Sequence, residues 1–125
     1  MKVTELRIGN FVSNYPWTEL LEVTMINKLG GMSFNNILFG DVDKVQAIPI
    51  TEEWLIKFGF KQSTPDTFKK TKHWYHDDTT IWFEYNLICY IYEGNGNIYC
   101  GHIKNIHQLQ NLYFALVGEE LIYNG

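Results

Sequence analysis

Proline is scarce in this chain and so is cysteine, with three and two copies in 125 residues. Two cysteines are too few for a disulfide-built scaffold, and a chain of this length has no need of one, since it can bury roughly two-thirds of its unfolded surface. Positive charge is also in short supply. Ten Lys and Arg stand against fourteen Asp and Glu, a formal net charge of −4, which weighs against general nucleic-acid binding because phosphate contacts need a cationic face. No apolar run approaches the roughly 20 residues that span a bilayer. The start, Met1-Lys2-Val3-Thr4-Glu5, lacks the apolar centre of a secretory leader. The expectation is a cytoplasmic protein without membrane contact, its thiols reduced. No P-loop, G-x-G-x-x-G, nucleophile elbow or H-E-x-x-H occurs, so the sequence points away from an enzyme and implies no cofactor.

What is plentiful is apolar and aromatic surface. Apolar residues make up 46% of the chain and aromatics 16%, too much for a disordered polymer. The expected class is α+β. Residues 1–50 read as short strands separated by turn signals: the apolar run 8–12, the alternating run 20–26, Gly30-Gly31, then 32–34, Asn35-Asn36, 37–39, Gly40-Asp41 and 45–50, with Pro49 at the exit. Four or five strands in that length predict a small bent sheet or an SH3-like barrel.

Residues 51–125 are expected to form an α-β-β-β-α half, the two halves closing into one unit. Thr51 suits a helix N-cap, Glu52 and Glu53 the first turn, Gly59 the left-handed stop, and Trp54, Leu55 and Phe58 the apolar face. Residues 61–66 read as a loop. The run 80–92 is β-prone, with Ile81, Phe83, Tyr85, Leu87, Cys89 and Ile91 on one side and Trp82, Glu84, Asn86, Ile88, Tyr90 and Tyr92 on the other. Its length predicts a break near Tyr85-Asn86. Glu93-Gly94-Asn95-Gly96 is a hairpin signal. Three turn types remain open there: Cys89 directly opposite Cys100, diagonal to it on the same face, or on the opposite face. In the last helix, Asn105 and Gln108 form a capping pair. Ile106, Leu109, Leu112, Tyr113, Leu116 and Val117 form a stripe that needs a sheet to cover, strands 80–103 being the natural partner. Gly118 ends the helix and Leu121 folds back.

Two groups of residues bear on chemistry. His73, His76, Asp77 and Asp78 are donors of the type that metals use, although their spacing matches no metal signature and reads more simply as a polar turn. Trp74, Trp82, Tyr90 and Tyr92, with polar His107, Gln108, Gln110 and Asn111 of the last helix, are candidates for an interaction surface. Aromatic strands serve protein interfaces and also stack single-stranded nucleic acid; the acidic balance favours a protein partner or self-association. A cluster of lysines (Lys57, Lys61, Lys69, Lys70, Lys72) is a local exception to that balance and reads as scattered surface charge.

Three blocks carry a resemblance: Leu6-Arg7-Ile8-Gly9-Asn10-Phe11-Val12, then residues 48–60 (IPITEEWLIKFGF), then residues 107–121 (HQLQNLYFALVGEEL). Together they resemble a family of small uncharacterised proteins of Bacteroides and relatives, often encoded in prophages or other mobile elements. Val117 stands where that pattern has Thr, and residues 62–103 lie outside the resemblance. It implies an accessory protein of a mobile element and supplies no activity, cofactor or catalytic residue.

Overall fold

The computed structural model describes residues 1–14, 19–36, 38–40, 43, 45–65, 67–73, 78–84, 88–93 and 96–125. The protein is α+β, with two five-stranded antiparallel sheets and two α-helices. The chain forms two compact units. Unit one comprises residues 1–49 and 105–111; unit two comprises 50–104 and 112–125.

Unit one holds a short 3-10 helix, Val3–Glu5, and strands β1 (Phe11–Asn14), β2 (Leu20–Ile26), β3 (Met32–Phe34), β4 (Leu38–Gly40) and β5 (Val45–Gln46). They lie in the order β4-β3-β2-β1-β5, a curled half-barrel. Its core is Leu6, Val12, Leu21, Val23, Met32, Phe34 and Val45. The expected strand at 8–12 starts only at Phe11. Before it, Gly9 takes a left-handed φ of 98°, and Asn10 closes a turn by accepting from the Arg7 N–H through its side chain at 2.7 Å. The Asn35-Asn36 turn is present, both residues being left-handed at φ 52° and 64°, a conformation asparagine tolerates better than most. The run 45–50 shortens to the two residues of β5; Pro49 instead makes a lone bridge to Asn105.

Unit two begins with α1 (Glu52–Lys57), followed by β6 (Lys61–Thr64), β7 (Thr67–His73), β8 (Asp78–Glu84), β9 (Ile88–Glu93) and β10 (Gly96–His102). The Thr51 hydroxyl caps α1 by accepting from the Trp54 N–H at 3.3 Å. Gly59, at φ 85°, donates to the Ile56 carbonyl while Phe60 donates to that of Leu55. This pair of bonds satisfies two of the carbonyls a helix end leaves open. The strands form a simple up-and-down meander, β10-β9-β8-β7-β6. It has five strands where the sequence led to three; one of the two additional strands is 61–64, an edge strand where a loop is expected. All four of these residues are exposed, so no apolar alternation announces them; backbone pairing to β7 alone makes the strand.

One face of the meander is apolar and buried: Phe68, Ile81, Phe83, Cys89 and Ile91. Leu55, Phe58, Phe60, Tyr113, Val117 and Leu121 are the other large buried side chains of unit two besides Ile50. β8 ends at Glu84 and β9 begins at Ile88; the expected break at Tyr85-Asn86 and the turn residues 94–95 lie outside the described residues. Glu93 pairs with Gly96, and Cys100 does not face Cys89. A bulge between Tyr99 and Gly101 puts Gly101, at φ 80°, opposite Cys89. The Cys89 thiol donates to the Tyr90 carbonyl at 4.0 Å and the Cys100 thiol to the Ile98 carbonyl at 3.7 Å, and both are free.

Helix α2 (Ile106–Val117) departs from expectation in its allegiance. The sequence assigns the whole helix to the meander, but its first six residues belong to unit one. There the Ile106 N–H donates to the Ile48 carbonyl at 2.8 Å, and Ile106 and Leu109 are fully buried. The Gln108 side chain accepts from the Asn105 N–H at 3.1 Å, one half of the expected capping box. No helix among the described residues is long and apolar enough to cross a membrane.

Candidate functional site: the open face of the meander

Strand alternation sends every second residue of β7, β8 and β9 away from the buried face. The register then lines them up. Lys61 pairs with Lys69, Lys69 with Trp82, Trp82 with Tyr90, and Tyr90 with Tyr99. One row across all five strands therefore reads Lys61, Lys69, Trp82, Tyr90, Tyr99. Neighbouring strands are about 4.8 Å apart, so the row is about 19 Å long.

The aromatic part of the row is in contact. Trp82 and Tyr90 stack with ring centroids 5.3 Å apart and planes 13° from parallel, and Tyr99 leans on Tyr90 at 5.6 Å. The indole N–H of Trp82 donates to Glu84 at 3.2 Å, which fixes the ring and occupies that carboxylate. Tyr99 is 62% exposed and Tyr92 41%. The buried aromatics of the same sheet, Phe68 and Phe83, lack a polar atom; the open face carries Trp and Tyr, whose N–H and O–H groups tolerate water.

Beside the row lie two depressions that share residues. A groove of about 360 Å³ is lined by Lys69, Thr71, Thr80, Trp82 and Tyr92. A cavity of about 410 Å³ is lined by Gly59, Lys61, Ser63, Lys69, Lys70 and Thr71. Lys69 and Thr71 belong to both, so the two adjoin; Lys70, paired with the buried Ile81, belongs by alternation to the opposite face of the sheet. Among the described residues, neither lining contains a carboxylate. Lys57 and Lys72 are neutralised by Glu53 and Glu119, each pair at 3.0 Å. Lys61, Lys69 and Lys70 have no such partner among the described residues. Burial, with repulsion from Lys72 added, pushes the Lys70 ammonium below its ordinary pKa; it sits 5.9 Å from the centre of the Tyr113 ring.

The remaining candidates separate cleanly. Trp74, His76 and Asp77 lie outside the described residues. The backbones of His73 and Asp78 pair across β7 and β8, and among the described residues no three His, Cys, Asp or Glu side chains converge as a metal site would require. His107 and Gln110, expected on an interaction surface, are interior: 2% and 1% exposed. Gln110 accepts from the Phe11 N–H at 2.8 Å and donates to the Gly9 carbonyl at 3.0 Å. Asn111 accepts from Arg7 and Asn10 and donates to the Glu5 carbonyl. These side chains hold the turn before β1 and are not presented to a partner. Burial lowers the pKa of His107, Glu5 opposing and the N-terminal amino group reinforcing the shift. Its Nδ1 has no hydrogen-bond partner among the described residues.

Sequence reasoning placed Trp82, Tyr90 and Tyr92 on one side of their strands. It missed that Tyr99, Lys61 and Lys69 join them, because cross-strand register has no local signature. Comparison with protein-family models, with curated proteins and with solved structures finds no match.

Proposed function

We propose that this chain is a non-enzymatic binding module, an accessory of a phage or other mobile element, that works through the open face of its meander. The carrying observation is the row Trp82, Tyr90, Tyr99, a stacked aromatic ladder left on the solvent side of a sheet. Leaving such rings in water forgoes about 25 cal/mol for each Å² of apolar surface that burial would have removed from water. Tyr and Trp are the residues that interfaces enrich. The face is shallow and crosses five strands, a shape suited to a polymer rather than to an enclosed small molecule. The mobile-element setting is supported by the resemblance of the three sequence blocks.

The test is site-specific photo-crosslinking in the host cell, with the photoreactive residue at Tyr99 or, as a control, at Leu29 in unit one, which is 97% exposed. Adducts concentrated at position 99 are expected. Equal labelling at both positions, or none at either, would reject the face as the working surface. Sensitivity of the adducts to protease or to nuclease reports the class of partner.

A further inference from the structure

We infer that the polymer bound on this face is single-stranded nucleic acid, its phosphates at Lys61 and Lys69 and its bases on Trp82, Tyr90, Tyr92 and Tyr99. This rests on the proposal that the open face is the working surface, and adds the chemistry of the ligand. Charge complementarity makes the choice. The chain as a whole carries −4, and the carboxylate beside the ladder, Glu84, is engaged by the Trp82 indole N–H at 3.2 Å. Among the described residues both linings are free of carboxylates, and Lys57 and Lys72, which have acidic partners, are absent from them. Lys61 and Lys69, with no acidic partner among the described residues, form with the hydroxyls of Ser63 and Thr71 a donor set for phosphate oxygens.

The groove that adjoins this cavity is lined by rings and threonines. An acidic peptide would satisfy the lysines and leave the ladder without a partner. A nucleotide strand satisfies both, since each unit offers one anionic phosphate and one flat π-face. Duplex is a poor fit, because its bases are already stacked on each other and not free to lie on side chains. Nothing along the row reads base edges through a bidentate pair, so binding is expected to tolerate sequence. The five-strand row of about 19 Å holds about three extended nucleotides.

The test is fluorescence anisotropy with the full chain and a labelled oligothymidylate of about 12 nucleotides, beside the matching oligouridylate and a duplex, at about 20 mM salt. Saturable binding of both single strands, weaker for duplex, is expected. A logarithmic salt slope of about −1.4 is expected for two phosphate contacts at about 0.7 each. Tyr99→Ala should weaken binding about tenfold without altering the salt slope, whereas Lys69→Ala should lower the slope by about 0.7. Both residues are exposed, so thermal unfolding should show each variant folded. Absence of single-strand binding by the wild type overturns the inference. Binding that ignores Tyr99→Ala, or that heparin reproduces with the same variant profile, overturns it as well, because charge alone would then explain it. Photo-crosslinks at position 99 that only protease removes would reject nucleic acid while leaving the face intact as the working surface. Loss of the crosslinks themselves would reject both.

Discussion

The Asn10 side-chain amide donates to the Asn111 side-chain oxygen at 2.8 Å across 101 positions of sequence. The same oxygen accepts from Arg7 Nε at 3.2 Å, and the Asn111 amide donates to the Glu5 carbonyl at 3.0 Å. Asn10 is fully buried. Residues 5–10 and residues 110–111 thus meet as the two sides of one polar network in unit one.

Removing the acceptor should expose the cost of that network. Asn111→Ala leaves the Asn10 amide and Arg7 Nε without their shared partner, and about 2–3 kcal/mol of stability should be lost. Asn10→Ala combined with Asn111→Ala should cost less than the sum of the single changes, since each alone strands the other's polar atom. Urea unfolding of the four proteins measures this; strict additivity would contradict the network.

Gly59→Ala should destabilise by about 1–2 kcal/mol, the usual penalty for a side chain in the left-handed region. Its φ is 85°, and a Cβ there would meet Lys70 Nζ at 2.9 Å. The lysine tip can move, so the backbone conformation carries most of the cost. Unfolding unchanged from wild type would mean that α1 does not end in the hydrogen-bonded stop described for it.

Stability should fall in mild acid through His107. Burial holds it neutral in the folded chain, while the unfolded chain takes up a proton at the ordinary pKa of 6.5. A depressed folded pKa means that stability is fully present above 6.5 and is lost as pH drops below it, by at most about 1.4 kcal/mol per pH unit. The position in the first turn of α2 adds to the effect, since the helix dipole disfavours a cation there. Unfolding of wild type and of His107→Gln from pH 7.5 to 5 should show a shallower decline for the variant; parallel curves would remove His107 as the cause.

Both thiols should be sluggish, in a fixed order. Cys89 is fully buried and its pKa is pushed up to about 12, by burial first and then by the neighbouring thiol. Cys100 is half-buried, and burial raises it while the hydrogen bond from Cys89 lowers it. The thiolate is the reactive form. A thiol reagent at pH 8 should therefore label Cys100 slowly and Cys89 only on unfolding, as peptide mass spectrometry can show. Faster labelling of Cys89 would contradict the register of β9 and β10.

Much of this fold is legible locally. Thr51, the acidic first turn and Gly59 fix α1 within its own ten residues, because caps are short-range hydrogen bonds. Alternation in 80–92 separates the buried face from the open one. The edge strand β6 was illegible because Lys61, Gln62, Ser63 and Thr64 are polar throughout; only pairing with β7 defines it. The bulge at Cys100 was illegible for a similar reason, since register belongs to two strands at once.

The sequence by itself determined the class, the helix ends and which side of each strand is apolar, all consequences of interactions within a few residues. Tertiary structure decided which distant residues meet. It turned Gln110 and Asn111 inward, where their amides saturate the turn before β1. It also gathered Lys61, Lys69, Trp82, Tyr90 and Tyr99 into one row, because five strands in register place side by side what the chain keeps up to 38 positions apart.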